Sequence, residues 1–172
     1  MSKFKQLQLL LQESGLMRQE NTFRPGRITT EWLQLAHDSN YINQFENNQL
    51  DAKAMRKMGL PWSEGLVKRS MISPNGTLMT AAIALNHGIA CHLAGGTHHA
   101  HYDHGRGYCV FNDLAVTAKV LLAQGKVRRV LIFDCDVHQG DGTAQILADE
   151  DRAFTCSVHC QKNFPHHKAT SN

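Results

Sequence analysis

The chain has 172 residues, 42% of them hydrophobic and 19% charged, with a formal net charge of +3. That length suits one domain with a core of its own, and scattered Lys and Arg with no basic run argue against a nucleic-acid ligand. No apolar run approaches the ~18 residues of a membrane-spanning helix, the opening MSKFKQLQLLLQESG is too polar for a secretory signal, and five cysteines in mostly apolar surroundings read as thiols of a reducing compartment, so a cytoplasmic location and no membrane partner are expected.

In chain order, Ser2 is placed to cap a helix with Phe4, Leu7, Leu10 and Leu11 on one face, closed by Gly15. Thr30 caps a short second helix through Trp32, Leu33, Leu35 and Ala36, and a third helical segment covers 41–56. Residues 59–75, with Pro61, Gly65 and Pro74, read as a loop-rich connection. A helix of small residues follows from Thr77 to Gly88, and the apolar run 89–94 reads as a strand before Gly95 and Gly96. A helix over 112–124 presents Leu114, Ala118, Leu121 and Leu122 on one face. A strand over 130–133 ends in Asp134, a helix starts at Thr143, and 153–158 is a further strand. Apolar strands alternating with helices predict an α/β fold, a parallel sheet with helices on both faces. Function in such sheets sits at the carboxyl ends of the strands.

The polar residues fall at those ends. In an extended FDCDVH segment Asp134, Asp136 and His138 share one face. Two carboxylates and an imidazole gathered there would repel and desolvate one another without a cation, and Asp and His suit zinc. A catalytic zinc takes three protein ligands and keeps one position for water, which it acidifies. Each element alone has a plainer explanation: Asp-x-Asp and Gly-Asp-Gly also make turns and caps, and a His-His pair carries little in a chain with 11 histidines. Gly-Gly-x-His-His after one run and Asp-x-Asp-x-His followed by Gly-Asp-Gly after the next, both at one sheet edge, point jointly to chemistry.

These segments resemble the histone deacetylase family, of the arginase/deacetylase fold. The similarity runs through LAHDSNYI (35–42), GLPWSEGLVKRS (59–70), GTLMTAAIALNHGIACHLAGGTHHA (76–100), GRGYCVFND (105–113) and VLIFDCDVHQGDGT (130–143). Gln139, where many relatives have a second His, resembles the class IV branch and its bacterial relatives. The resemblance implies a zinc-dependent hydrolase that removes an acyl group from lysine or a related amine. Asp136 and His138 would be zinc ligands, His99 the general base, and His98 its partner. Asp134 and Asp141 would orient His98 and His99, and Gly107, Tyr108 and Phe164 would wall a narrow acyl-lysine tunnel. The backbone at Asp134, Asp136 and His138, with Ser157 and Val158, would hold a structural monovalent cation, potassium.

The resemblance also implies limits. The family's third zinc ligand, an Asp, and its oxyanion-stabilising Tyr belong to segments that would follow Asn172, and its first strand would precede Met1. Residues 1–172 are therefore expected to form the N-terminal portion of a single catalytic domain, an incomplete three-layer fold with a partial sheet, prone to self-association. Expected substrates are an acylated lysine or an acetylated polyamine. A truncated, inactive or binding-only module is the alternative. An arginase-like ureohydrolase fits less well, because that family prefers Asp-x-His-x-Asp and the spacing Asp136, His138, Asp141 is one residue longer.

Overall fold

The computed structural model of the chain describes residues 2–170. Its elements run α1 (Ser2–Glu13), a 3-10 turn (Gln19–Asn21), α2 (Thr30–Gln34), α3 (Ser39–Glu46), α4 (Ala52–Met58), α5 (Glu64–His87), α6 (Asp113–Ala123), β1 (Val130–Asp134), α7 (Asp141–Leu147) and β2 (Ala153–Ser157). The strands pair in parallel, from Val130 against Ala153 to Asp134 against Ser157, and α7 makes the crossover.

Helix starts follow capping chemistry. Thr29, Asp38, Asp51, Ser63 and Asn112 each accept a backbone N–H from three residues ahead. The cap of α2 is thus Thr29, and Thr30 is its first helical residue. The capping expected of Ser2 falls on a side chain outside the described part. The helical segment expected over 41–56 is two helices, since Asn48 turns left-handed (φ 57°) and Asp51 caps anew. α7 begins at Asp141, two residues before the expected Thr143.

The largest departure is α5, a 24-residue helix running through Pro74 where a connection is expected. Proline removes a donor and crowds the preceding turn. Docking of an extended segment offsets this: Ile28 donates its N–H to the Met71 carbonyl (2.8 Å), and the Asn75 amide donates to Gly26 O (3.1 Å). The strand expected over 89–94 is irregular backbone instead. Its apolar residues line a cleft and pair with no neighbour strand among the described residues.

Phe45, Met58, Met71, Phe111, Val116 and Leu147 are fully buried at the centre. Phe111 meets Phe45 and Tyr41 edge-on, with ring centroids 5.5 and 5.7 Å away, and the Tyr41 hydroxyl donates to Val110 O (2.7 Å). This packing fixes the segment between α5 and α6. On the sheet, Ile132, Ala153 and Thr155 are buried, and α6 and α7 pack against β1 and β2 respectively. Leu131, Phe133 and Phe154, on the opposite face, are exposed, and apolar strips of this kind favour association.

Candidate active site

β1 ends in Asp134, and its carboxylate organises the turn beyond the strand. Oδ1 accepts the Asp136 N–H (2.9 Å), and Oδ2 lies 2.5 Å from His98 Nδ1. Asp136 repeats the device, its Oδ1 accepting the His138 N–H at 2.8 Å. Gly140 closes the turn beneath them, where a Cβ would stand 2.6 Å from Asp134 Oδ2.

The His98–His99 peptide is held from below. Asp113, in the first turn of α6, accepts N–H bonds from Gly96 (2.9 Å) and Thr97 (2.7 Å) and hydroxyl bonds from Thr97 (2.7 Å) and Thr77 (2.5 Å). The Asn112 amide donates to the carbonyls of His98 (3.3 Å) and Ala100 (3.1 Å), and Thr143 N donates to His98 O (3.1 Å). Gly142 approaches so closely that a Cβ would overlap Ala100 O. His37, behind this layer, donates from Nδ1 to His101 O (2.9 Å) and accepts the Asn112 N–H at Nε2 (2.8 Å). Burial pushes it down to about 4, so it is neutral.

The result is two adjacent imidazole–carboxylate pairs. The rings of His98 and His99 lie 4.1 Å apart. His99 Nδ1 is 2.7 Å from Asp141 Oδ1. In both, Nδ1 faces a carboxylate and carries the hydrogen, leaving Nε2 for chemistry. Burial alone would lower His98, but the hydrogen bond and charge of Asp134 outweigh it, and its pKa is raised. Burial raises Asp134 and Asp141, yet their imidazole partners more than reverse this, so both lie below the usual carboxylate range. Asp141 is held hardest: Arg106 Nη1 (2.6 Å) and His101 Nε2 (3.3 Å) also reach its Oδ2.

Asp136 Oδ1 and His138 Nδ1 are 3.0 Å apart on partly exposed side chains. At zinc bond lengths of about 2.0–2.2 Å, one cation could bind both, so the donor set fits a divalent metal along one edge. Among the described residues, no third His, Cys, Asp or Glu completes a metal-holding group. Phe164 stacks edge-on against His99 (4.8 Å) and lies 6.1 Å from the His138 ring. Gly107 lies against His99, where a Cβ would fall 2.7 Å from Cδ2. Tyr108 donates its N–H to Met58 O (2.8 Å) and is largely exposed. Gly107, Tyr108 and Phe164 all line one cleft with His98, His99, Asp136 and His138. At about 2230 Å³ it is broad, well beyond the ~300–1,000 Å³ of a closed ligand pocket.

The residues named for a monovalent cation gather less tightly. Val158 N donates to Asp134 O (2.9 Å), and Ser157 Oγ pairs with His159 Nδ1 (2.9 Å). Asp134 and Ser157 share a small cavity that Asp136, His138 and Val158 do not line. The sequence reading missed Asp113, Asn112, His37 and Arg106. A polar pair at the start of an apolar helix was the available signal for Asn112 and Asp113. Cys109, beside the paired imidazoles, is no nucleophile, because burial pushes its thiol up to about 12.

Comparison with known proteins decides the lineage, because the histone deacetylase domain matches residues 1–172. The chain belongs to the histone deacetylase family. It is 45% identical over 172 residues to an uncharacterized protein of Picosynechococcus sp., covering 100% of this chain and 57% of that protein. It is 32% identical over 160 residues to the acetoin utilization protein AcuC of Staphylococcus xylosus, covering 87% of this chain and 41% of that one. Among solved structures, a histone deacetylase homologue from Aquifex aeolicus superimposes with a TM-score of 0.79 at 27% identity, over 90% of this chain and 44% of the other. A histone deacetylase homologue is also known complexed with SAHA. The chain thus spans about half the length of these relatives, and its helices and small parallel sheet are part of the arginase/deacetylase fold.

Proposed function

We propose that this chain forms part of a zinc-dependent deacylase that hydrolyses the amide of an acylated lysine or a related amine, in the cytoplasm. The observation that carries the reading is the pair of imidazole–carboxylate dyads set beside Asp136 and His138 at the end of β1. Asp136 and His138 would hold the zinc; when bound, it supplies Lewis-acid chemistry that makes water more acidic and polarises the scissile carbonyl.

The chain's own groups account for the protons. His99 Nε2 takes a proton from the attacking water, and Asp141 at Nδ1 stabilises the charge. His98, held toward the charged form by Asp134, gives its proton from Nε2 to the departing amine nitrogen. One C–O bond forms, the C–N bond breaks, and the products are a carboxylate and an amine. Gly107, Tyr108 and Phe164 would steer the acyl-amine stem, and the strand ends near Asp134 and Ser157 would carry potassium. The high Cys109 pKa favours direct attack by water over a covalent thioester.

The test is metal content and turnover of acetyl-lysine peptides in the protein that carries this chain, with and without a zinc chelator. Asp136→Ala and His138→Ala should lower zinc stoichiometry and turnover together. Full turnover after chelation, or unchanged zinc and rate in both variants, would refute the reading. Zinc-independent peptide binding without hydrolysis would support a binding module instead.

A further inference from the structure

Arg106 touches both halves of the site. It opens a tight turn in which Arg106 N donates to Cys109 O (3.0 Å) and Cys109 N donates back to Arg106 O (2.9 Å). The two central residues, Gly107 (φ 56°) and Tyr108 (φ 64°), are left-handed, the signature of a type I′ turn. Each is fixed from outside the turn. His99 leaves no room for a Cβ at Gly107, and the Tyr108 ring lies over Gly59, 3.0 Å from where a Cβ would stand. The side chain of Arg106 is therefore launched from a rigid point.

Its guanidinium reaches two partners. Nη1 donates to Asp141 Oδ2 at 2.6 Å, on the carboxylate whose other oxygen holds His99. The planar group also lies over the Phe164 ring, 4.9 Å from its centroid, and that ring stacks edge-on against His99. Arg106 thus closes two contact circuits around one imidazole, through a carboxylate on one side and an aromatic ring on the other. At the His98–Asp134 pair the second carboxylate oxygen accepts a backbone N–H in place of a cation. Lysine is a poor substitute, because a point charge on a flexible stem cannot donate in the plane and stack on a ring at once.

We propose that Arg106 is a positioning residue: by holding the Asp141 carboxylate and the Phe164 ring together it fixes the orientation of the His99 imidazole and the wall of the cleft beside it. This rests on the deacylase reading for its catalytic consequence but not for its structural one. The guanidinium touches no reacting atom and acts through Asp141 and Phe164.

The test compares wild type with Arg106→Met, Arg106→Lys and Phe164→Leu. Each is followed by thermal unfolding, by the downfield proton resonance of His99 Nδ1–H in histidine-labelled protein, and by kcat and KM on an acetyl-lysine peptide. In Arg106→Met the resonance should broaden or move with the fold retained, and kcat should fall on the order of a hundredfold, the scale of small misplacements in a site, with KM little changed. Arg106→Lys should recover only part of the loss. Phe164→Leu, which keeps the Arg106–Asp141 bond, should move the resonance less and provides a test should Arg106→Met fail to fold. An unchanged resonance and kcat in both Arg106→Met and Arg106→Lys would overturn the proposal, as would an unchanged resonance in Phe164→Leu for its aromatic half. If wild type turns over no acyl-lysine peptide while the resonance still depends on Arg106, the deacylase reading fails and the positioning role stands.

Discussion

The two imidazole–carboxylate pairs sit 4.1 Å apart yet are built from different materials. The His99–Asp141 pair lies inside the packed body: its side chains are 5% and 3% exposed, and its carboxylate is gripped by an arginine and a further histidine. The His98–Asp134 pair stands at the tip of the sheet: it is 8% and 14% exposed, and its carboxylate is steadied by one backbone N–H. Neighbouring copies of one side-chain pair can therefore have unlike surroundings, and surroundings decide acid–base behaviour. At the outer pair the hydrogen bond and charge of Asp134 outweigh burial and raise the pKa of His98.

The strongest test of this difference removes each ring. His99→Ala should lower deacylation by about two to four orders of magnitude, the typical worth of a general acid–base group, and His98→Ala should cost less. A His98→Ala rate well below that of His99→Ala would exchange the roles. The carboxylates should separate fold from chemistry. Asp141→Asn strips Arg106 of its ionic partner and should destabilise by about 1–3 kcal/mol, read by denaturant unfolding, whereas Asp134→Asn should slow turnover with a smaller loss of stability.

pH distinguishes the inner support from the outer pair by sign. His37, braced between His101 O and Asn112 N, has a folded pKa of about 4 against about 6.5 unfolded. Its contribution is complete above the unfolded value and is lost as pH falls from 6.5 toward 4. The loss is about 3 kcal/mol, since each pKa unit is worth about 1.4 kcal/mol. His98 is raised, so its contribution is complete below the unfolded value and fades as pH rises through the folded one. Unfolding free energy measured across pH should fall on the acid side in wild type and much less in His37→Gln.

The smallest expected effects come from two glycines, one beside each pair. Gly107→Ala pushes on His99 from a left-handed position, and Gly140→Ala pushes on Asp134 Oδ2. Each should cost about 1–2 kcal/mol, and chemical shifts of His99 should respond to the first substitution and those of His98 to the second.

The sequence disclosed these features unevenly. β1, β2 and α6 were legible because short apolar runs and a capped apolar helix carry their own local signals. The pairing of His98 with Asp134 and of His99 with Asp141 was legible through the resemblance of the Gly-Gly-x-His-His and Asp-x-Asp-x-His-x-Gly-Asp-Gly segments, whereas only Asp134 stands at a strand end: His98 and His99 lie in a turn and Asp141 opens α7. The second half of α5, from Thr77, was legible, but its first half was hidden, because Gly65 and Pro74 are breakers when read locally and the docked segment at Ile28 helps make a continuous helix tolerable. Arg106 was hidden for another reason: its partner Asp141 lies 35 residues away, and no spacing rule links an arginine in a turn to the first turn of a distant helix.

The alternation along β1 limits how this part of the chain can drift over generations. Phe133 points to the bare side of the sheet, while its neighbour Asp134 turns to His98. Adding or deleting one residue within the strand would exchange those faces, swinging the carboxylate out to solvent and a phenyl ring in beside the imidazoles. A length change tolerated here must come in twos, or be absorbed in the turn before Val130. Natural variants of this strand should therefore differ by substitution far more than by single-residue insertion.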